Sequence, residues 1–204
     1  MGTVARVSPV HPPIQVAPAS ESVAPHKTPD RMLNMPRPEV HEQGVKVYDS
    51  VVAQLPGLLE ELLVAPAARV SEHPPIPEAP GIYLFSEAGY GEVVREKAIY
   101  VGQSRKLRSR LKNHTRLGGK NSVATFAFLV ARTDAEQAGV DTKRYREILE
   151  QDEDFIAHFE AAKSRVAEMQ VRFILLDGPI ERSLFEIYAA MALDTLVYNS
   201  FETH

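Results

Sequence analysis

Residues 81–114 read "GIYLFSEAGYGEVVREKAIYVGQSRKLRSRLKNH". Two short runs, GIYLF (81–85) and KAIYVG (97–102), are β-branched and aromatic and are bounded by Pro80 and Gly102. This is the composition of buried strands. Gly89 and Gly91 between them suit a hairpin turn. Behind the second run, six basic or imidazole side chains fall within residues 103–114 without one acid. The spacing predicts a helix from Ser104, as N-cap, to Arg116, stopped by Gly118-Gly119. On it Gln103, Leu107, Arg110 and His114 would form one stripe beside the buried Leu107–Leu111 seam.

Working outward, residues 122–132 carry Val123, Phe126, Ala127, Val130 and Ala131 at helical spacing, with a strand as the alternative. From Asp141 to Glu168 the chain is charged, periodic and free of Gly and Pro, which predicts one or two helices with a solvated face. QVRFILLD (170–177) predicts a strand, and Gly178-Pro179 opens a last helix over about 180–193. On the N-terminal side, 49–64 has helical periodicity interrupted or restarted at Pro56-Gly57, and HPPIPEAP (73–80) reads as a linker. Eight of the fifteen prolines lie in the first 40 residues, and no aromatic residue precedes Tyr48. Such a stretch buries too little apolar surface to offset its ordering entropy, so residues 1–42 are expected to be a disordered tail. Strands joined by a hairpin, with helices clustered elsewhere, indicate an α+β fold.

Composition sets limits on the chemistry. The 204 residues are 44% hydrophobic and 25% charged and contain no cysteine, which excludes disulfides, thiolate nucleophiles and Cys-ligated zinc. No apolar run approaches membrane-spanning length and the start does not read as a secretory signal, so a cytoplasmic protein with no membrane partner is expected. The net charge is −4, yet residues 104–120 hold seven of the 23 basic residues and no acid. The other 16 cations stand against 27 acids. One concentrated cationic element on an acidic body can steer a phosphate backbone to a single place. Its rival is a plain solvated helix face.

Individual side chains also break the ordinary rules. Glu186 is the only charged residue in SLFEIYAAMAL (183–193). An ionised carboxylate on an element that is apolar all round is costly unless it is paired or holds a cation. It either pairs with an arginine or ligates a metal. Asn199 could close a turn, and Tyr83 and Tyr100 could be strand core.

Taken together, these residues resemble the GIY-YIG nuclease superfamily. GIY (81–83) and YVG (100–102) match its paired signature. Arg110 and His114 follow in the register of its first helix, and Glu186 and Asn199 resemble its helix glutamate and closing asparagine. The likeness covers residues 80–200 apart from a helical stretch, about 134–168, that looks like an insertion. Three departures stand out: the tyrosines are 17 apart, Gln103 stands where the repair-nuclease branch has a lysine, and no proline shortly precedes Asn199.

The resemblance implies a small three-stranded antiparallel sheet flanked by helices, over residues 80–204. Residues 43–79 would be a helical element and linker. It implies a metal-dependent DNA endonuclease in which Glu186 holds one Mg²⁺ or Mn²⁺ and Arg110 grips the phosphate. Tyr83 would orient or deprotonate water, tuned by Tyr100 and His114, while Asn199 would hold the geometry. Arg105, Lys106, Arg108, Lys112, Arg116 and Lys120 would carry the strand without reading its sequence. A restriction or defence enzyme, or a structure-specific repair nuclease, would fit. Cutting both strands would require a homodimer or two nicks, and targeting could come from another protein. The contrasting expectation is a non-catalytic DNA-binding or partner-recruiting module on the same fold.

Overall fold

A computed structural model describes residues 39–87, 96–116 and 124–199. Of the expected tail over 1–42, residues 1–38 lie outside the described residues, as do the hairpin turn at Gly89 and Gly91, the stop at Gly118-Gly119, and Lys120; Glu42 is already helical. Residues His41–His204 form one compact unit.

Among the described residues the first element is α1 (Glu42–Val64), followed by a two-residue strand β1 (Ala68–Arg69) and a 3₁₀ turn (Val70–Glu72). Strands β2 (Gly81–Glu87) and β3 (Lys97–Ser104) lead to α2 (Leu107–Thr115). Helices α3 (Thr125–Gln137), α4 (Arg146–Leu149) and α5 (Glu153–Glu168) come next, before β4 (Gln170–Leu175) and α6 (Pro179–Ala192). The sheet is antiparallel in the order β1-β4-β2-β3. It therefore has four strands rather than the expected three. The extra strand is an edge pairing, Ala68 with Val171 and Arg69 with Gln170, too short to leave a pattern in the sequence.

β2 is the central long strand, and its alternation divides the core. Tyr83 and Phe85 pack with Tyr100, Leu107, Leu111, Phe126, Phe155 and Phe159 on the side of α2, α3 and α5. Ile82 and Leu84 pack with Val101, Ile174, Leu55, Leu62, Phe185 and Ala189 on the side of α1 and α6. The sheet is thus covered on both faces, and β2 reads as a continuous apolar run because both of its faces are buried. Opposite Phe85 and Ser86 stand Tyr100 and Ala98, so Ile99 is an extra residue, a β-bulge that twists β3.

Several boundaries differ from those the sequence predicts. Helix α1 runs unbroken through Pro56, because that residue is exposed and the flanking Leu55 and Leu62 hold the helix against the sheet. β3 extends to Ser104, which pairs with Gly81, so Ser104 is a strand end and α2 starts three residues later, at Leu107. Gln103 consequently belongs to the strand and not to the helix stripe with Arg110 and His114. Over 122–132 the helix prevails, as α3. β4 stops at Leu175, and the last helix spans Pro179–Ala192. No helix among the described residues is long and apolar enough to cross a membrane.

Candidate active site

The two glycines of the GIY and YVG motifs are required by close approach. A Cβ on Gly102 would run into the Cζ and hydroxyl of Tyr83, whose ring lies across β3 at that point. A Cβ on Gly81 would strike the carbonyl of Ile174 on β4 and the Cδ1 of Leu107 on α2. The cross-strand register, Tyr83 opposite Gly102, provides the fit.

Helix α2 is anchored at its start by non-local acceptors. Leu107 N–H donates to Ala79 O (3.1 Å), Arg108 N–H to Pro77 O (3.2 Å), and Ser109 donates from N and Oγ to Glu78 (3.0 and 2.5 Å). These contacts use the orphan amides of the first turn and fix the helix over the Tyr83 face of the sheet. Leu107, Leu111 and His114 then point inward. The His114 ring lies 5.7 Å from Tyr83, 5.9 Å from Phe85, and 6.2 Å from both Tyr100 and Phe126, centroid to centroid. Phe126 of α3 stacks on Tyr100 at 4.5 Å and 8°. The sequence presents Phe126 only as part of a helix stripe, and the stacking has no signature along the chain.

Polar contacts thread this aromatic box. The Tyr83 hydroxyl is 2.9 Å from His114 Nε2, and Arg110 Nε–H donates to the same hydroxyl at 3.2 Å. Arg110 can only donate to this oxygen, and the Tyr83 phenol is hydrogen-bonded to that of Tyr100 as well. His114 Nδ1 is buried and makes no hydrogen bond. Arg110 also hydrogen-bonds the Tyr100 phenol. Tyr83 and His114 are fully buried, and Tyr100 nearly so. Burial, and the neighbouring Tyr100, push the Tyr83 phenol far above its ordinary value, and burial raises Tyr100 as well. Burial, aided by the Arg110 charge, holds His114 well below the ordinary imidazole value, so it is neutral at physiological pH.

Glu186 sits on α6, which packs on the Ile82 face of the sheet, and is half-buried. Gln103 Nε2 donates to its Oε2 at 2.8 Å and to Ser183 Oγ at 3.1 Å. Burial raises the Glu186 carboxyl despite this amide and the Arg110 charge. Glu186 in turn raises both tyrosines, so Tyr83, Tyr100, Arg110 and Glu186 share one electrostatic neighbourhood. Gln103 comes into this role because β3 runs two residues further, to Ser104, than the sequence pattern predicts.

Asn199 works at the open edge of the sheet. Its Oδ1 accepts from Val101 N–H (3.1 Å), and its Nδ2 donates to Val101 O (2.6 Å). β3 is an edge strand, so the carboxamide mimics the missing neighbour. Thr195 Oγ1 donates to the same Oδ1 at 2.9 Å and orients it.

The predicted cations fare differently. Arg105, Lys106, Lys112 and Arg116 are exposed. Arg108 is held by Ile76, whose carbonyl accepts from its Nε at 2.7 Å. No three His, Asp or Glu among the described residues converge as a metal cage. The residues nonetheless fit a hard divalent ion: Glu186 is a half-buried carboxylate whose raised carboxyl a cation would relieve, and such ions keep most of their waters beside one or two carboxylates.

No family model matches this chain, and neither the curated proteins nor the solved structures gave a significant match.

Proposed function

We propose that this chain is a metal-dependent phosphodiesterase acting on DNA, of the GIY-YIG type that its motifs resemble. The observation that carries the reading is the convergence at Tyr83. Residues 83, 100, 110, 114 and 186 come from three separate parts of the sequence. They meet as a phenol bonded to a neutral imidazole and a guanidinium, within the field of a half-buried carboxylate.

Each group has a task that its chemistry supports. Arg110 presents a planar cation for a phosphate's non-bridging oxygens while holding Tyr83 in place. Tyr83 keeps its proton at neutral pH, so its oxygen would orient the attacking water as a hydrogen-bonding group and not as a base. The His114 ring, kept uncharged by burial, holds that hydroxyl in place. Glu186 would hold Mg²⁺ or Mn²⁺, with Gln103 setting the carboxylate's orientation. When bound, that ion would stabilise charge on the scissile phosphate as a Lewis acid. Asn199 keeps β3, and with it Tyr100, in register.

A second reading, a non-catalytic DNA-binding module, draws on one observation: the Tyr83 side chain is fully buried and its hydroxyl is satisfied inside the protein. Cleavage of supercoiled plasmid with Mg²⁺ or Mn²⁺, by wild type and Glu186→Ala, separates the two. Nicking by wild type that falls by at least about a hundredfold in the variant supports the enzyme, since loss of a metal ligand removes several kcal/mol of transition-state stabilisation. Binding by both proteins with no cleavage under either metal, on plain or branched DNA, would leave the binding module.

A further inference from the structure

On α2 the residues Arg108, Lys112 and Thr115 stand at i, i+4 and i+7 and form one stripe. Each residue turns the helix by about 100°, so this stripe lies on the far side from Arg110, about 200° round from it. It forms one wall of a cavity of about 380 Å³. The opposite wall is the segment after β1, with Val70, Pro74 and Ile76 giving it an apolar surface and His73 its rim. The volume falls within the range of small-molecule sites.

One feature makes this more than a row of exposed cations. The bond from Arg108 Nε to the Ile76 carbonyl, at 2.7 Å, ties the guanidinium to the cavity wall, so little side-chain freedom is lost when it grips an anion. His73 caps the 3₁₀ turn in the left-handed region, at φ 53°, with its N–H donating to Val70 O at 3.1 Å. The nearby carboxylate of Glu78 opposes an anion but is itself engaged by Ser109 N–H and Oγ.

We infer that this cleft is a second phosphate-binding site, on the other side of α2 from Tyr83. It takes a nucleotide, with the phosphate between Arg108 and Lys112 and the base against Val70 and Pro74. Two cations match a phosphate's charge, and the apolar wall suits a flat base. The nucleotide can be free or part of a single strand.

The test is a binding titration in EDTA, which removes any metal-dependent cleavage. The probes are inorganic phosphate, deoxyadenosine monophosphate and a short single-stranded oligothymidylate. Wild type is compared with Lys112→Glu and with Lys143→Glu, an equal charge reversal at an exposed position outside the cleft. Both variants are checked for unchanged thermal unfolding. Lys112→Glu is expected to weaken nucleotide binding by at least about tenfold, and Lys143→Glu by less than about twofold. Binding of the mononucleotide would identify a free nucleotide as the ligand, and binding of the oligonucleotide alone would identify a strand. The inference is overturned if wild type binds neither, if both variants lose affinity equally, or if inorganic phosphate binds as tightly as the nucleotide. A protein that cuts no DNA yet binds through Lys112 keeps this site. A wild type that cuts DNA with Mg²⁺ yet binds no nucleotide in EDTA keeps only the Tyr83 site.

Discussion

At the scale of single residues, burial determines what His114 and Asn199 do. His114 is fully buried and held well below the ordinary imidazole value of about 6.5. Above that value the folded and unfolded chains both carry a neutral ring, and the Tyr83–His114 bond contributes in full. Below it the unfolded chain takes up a proton that the folded one refuses. Stability therefore falls, by up to about 1.4 kcal/mol per pH unit, until the folded ring itself titrates. Denaturant midpoints at pH 8 and pH 5 should show a larger drop for wild type than for His114→Phe, and equal drops would remove His114 as the cause. Asn199→Ala leaves the N–H and C=O of Val101 unpaired, at a cost of about 1–3 kcal/mol for each group that water does not reach. Urea unfolding measures this, and a loss under 0.5 kcal/mol, the usual level of a surface substitution, would mean that the edge of β3 is hydrated instead. Glu186 was legible as an anomaly because it is the one charge in an apolar stretch. Its partner Gln103 was not, since an uncharged amide breaks no rule.

At the scale of elements, the strands announced themselves and some of their ends did not. GIYLF, KAIYVG and QVRFILLD are short apolar runs with Gly or Pro nearby, and all three are strands. α2 starts later than the sequence predicts because Ser104, a good cap by type, pairs with Gly81 across the sheet. Its hydroxyl accepts from Lys106 N–H only as a turn. Pro56-Gly57 predicts an interruption or restart, but α1 carries on through it. A mid-helix proline removes a backbone hydrogen bond and costs up to about 3 kcal/mol, partly offset by its stiffening of the unfolded chain. Pro56→Ala should therefore stabilise the protein by roughly 1–2 kcal/mol, seen as a higher urea midpoint. An unchanged or lower midpoint would show that Pro56 itself makes a contact that the helix needs.

At the scale of the whole molecule, α1 is part of the core that covers the sheet. Leu55 and Leu62 pack with Ile82, Leu84, Val101 and Ile174, and Leu62 is fully buried. A chain trimmed to residues 80–204 would expose that face. It is expected to lose cooperative thermal unfolding, and a sharp transition in the trimmed chain would refute the dependence. Leu62→Ala in the full chain should cost about 2–5 kcal/mol by urea unfolding.

The sequence by itself determined the α+β class, the two tyrosine strands, the cationic helix and the isolated carboxylate. These rest on local rules: period, turn residues and the cost of a charge among apolar neighbours. Only the tertiary structure decided the β1–β4 edge pair and the carboxamide of Asn199 standing in for a strand. It also decided the stacking of Phe126 on Tyr100 and the reach of Gln103 to Glu186. Each of these joins residues far apart in the chain. Their energies depend on distances that no stretch of sequence contains until the backbone has closed.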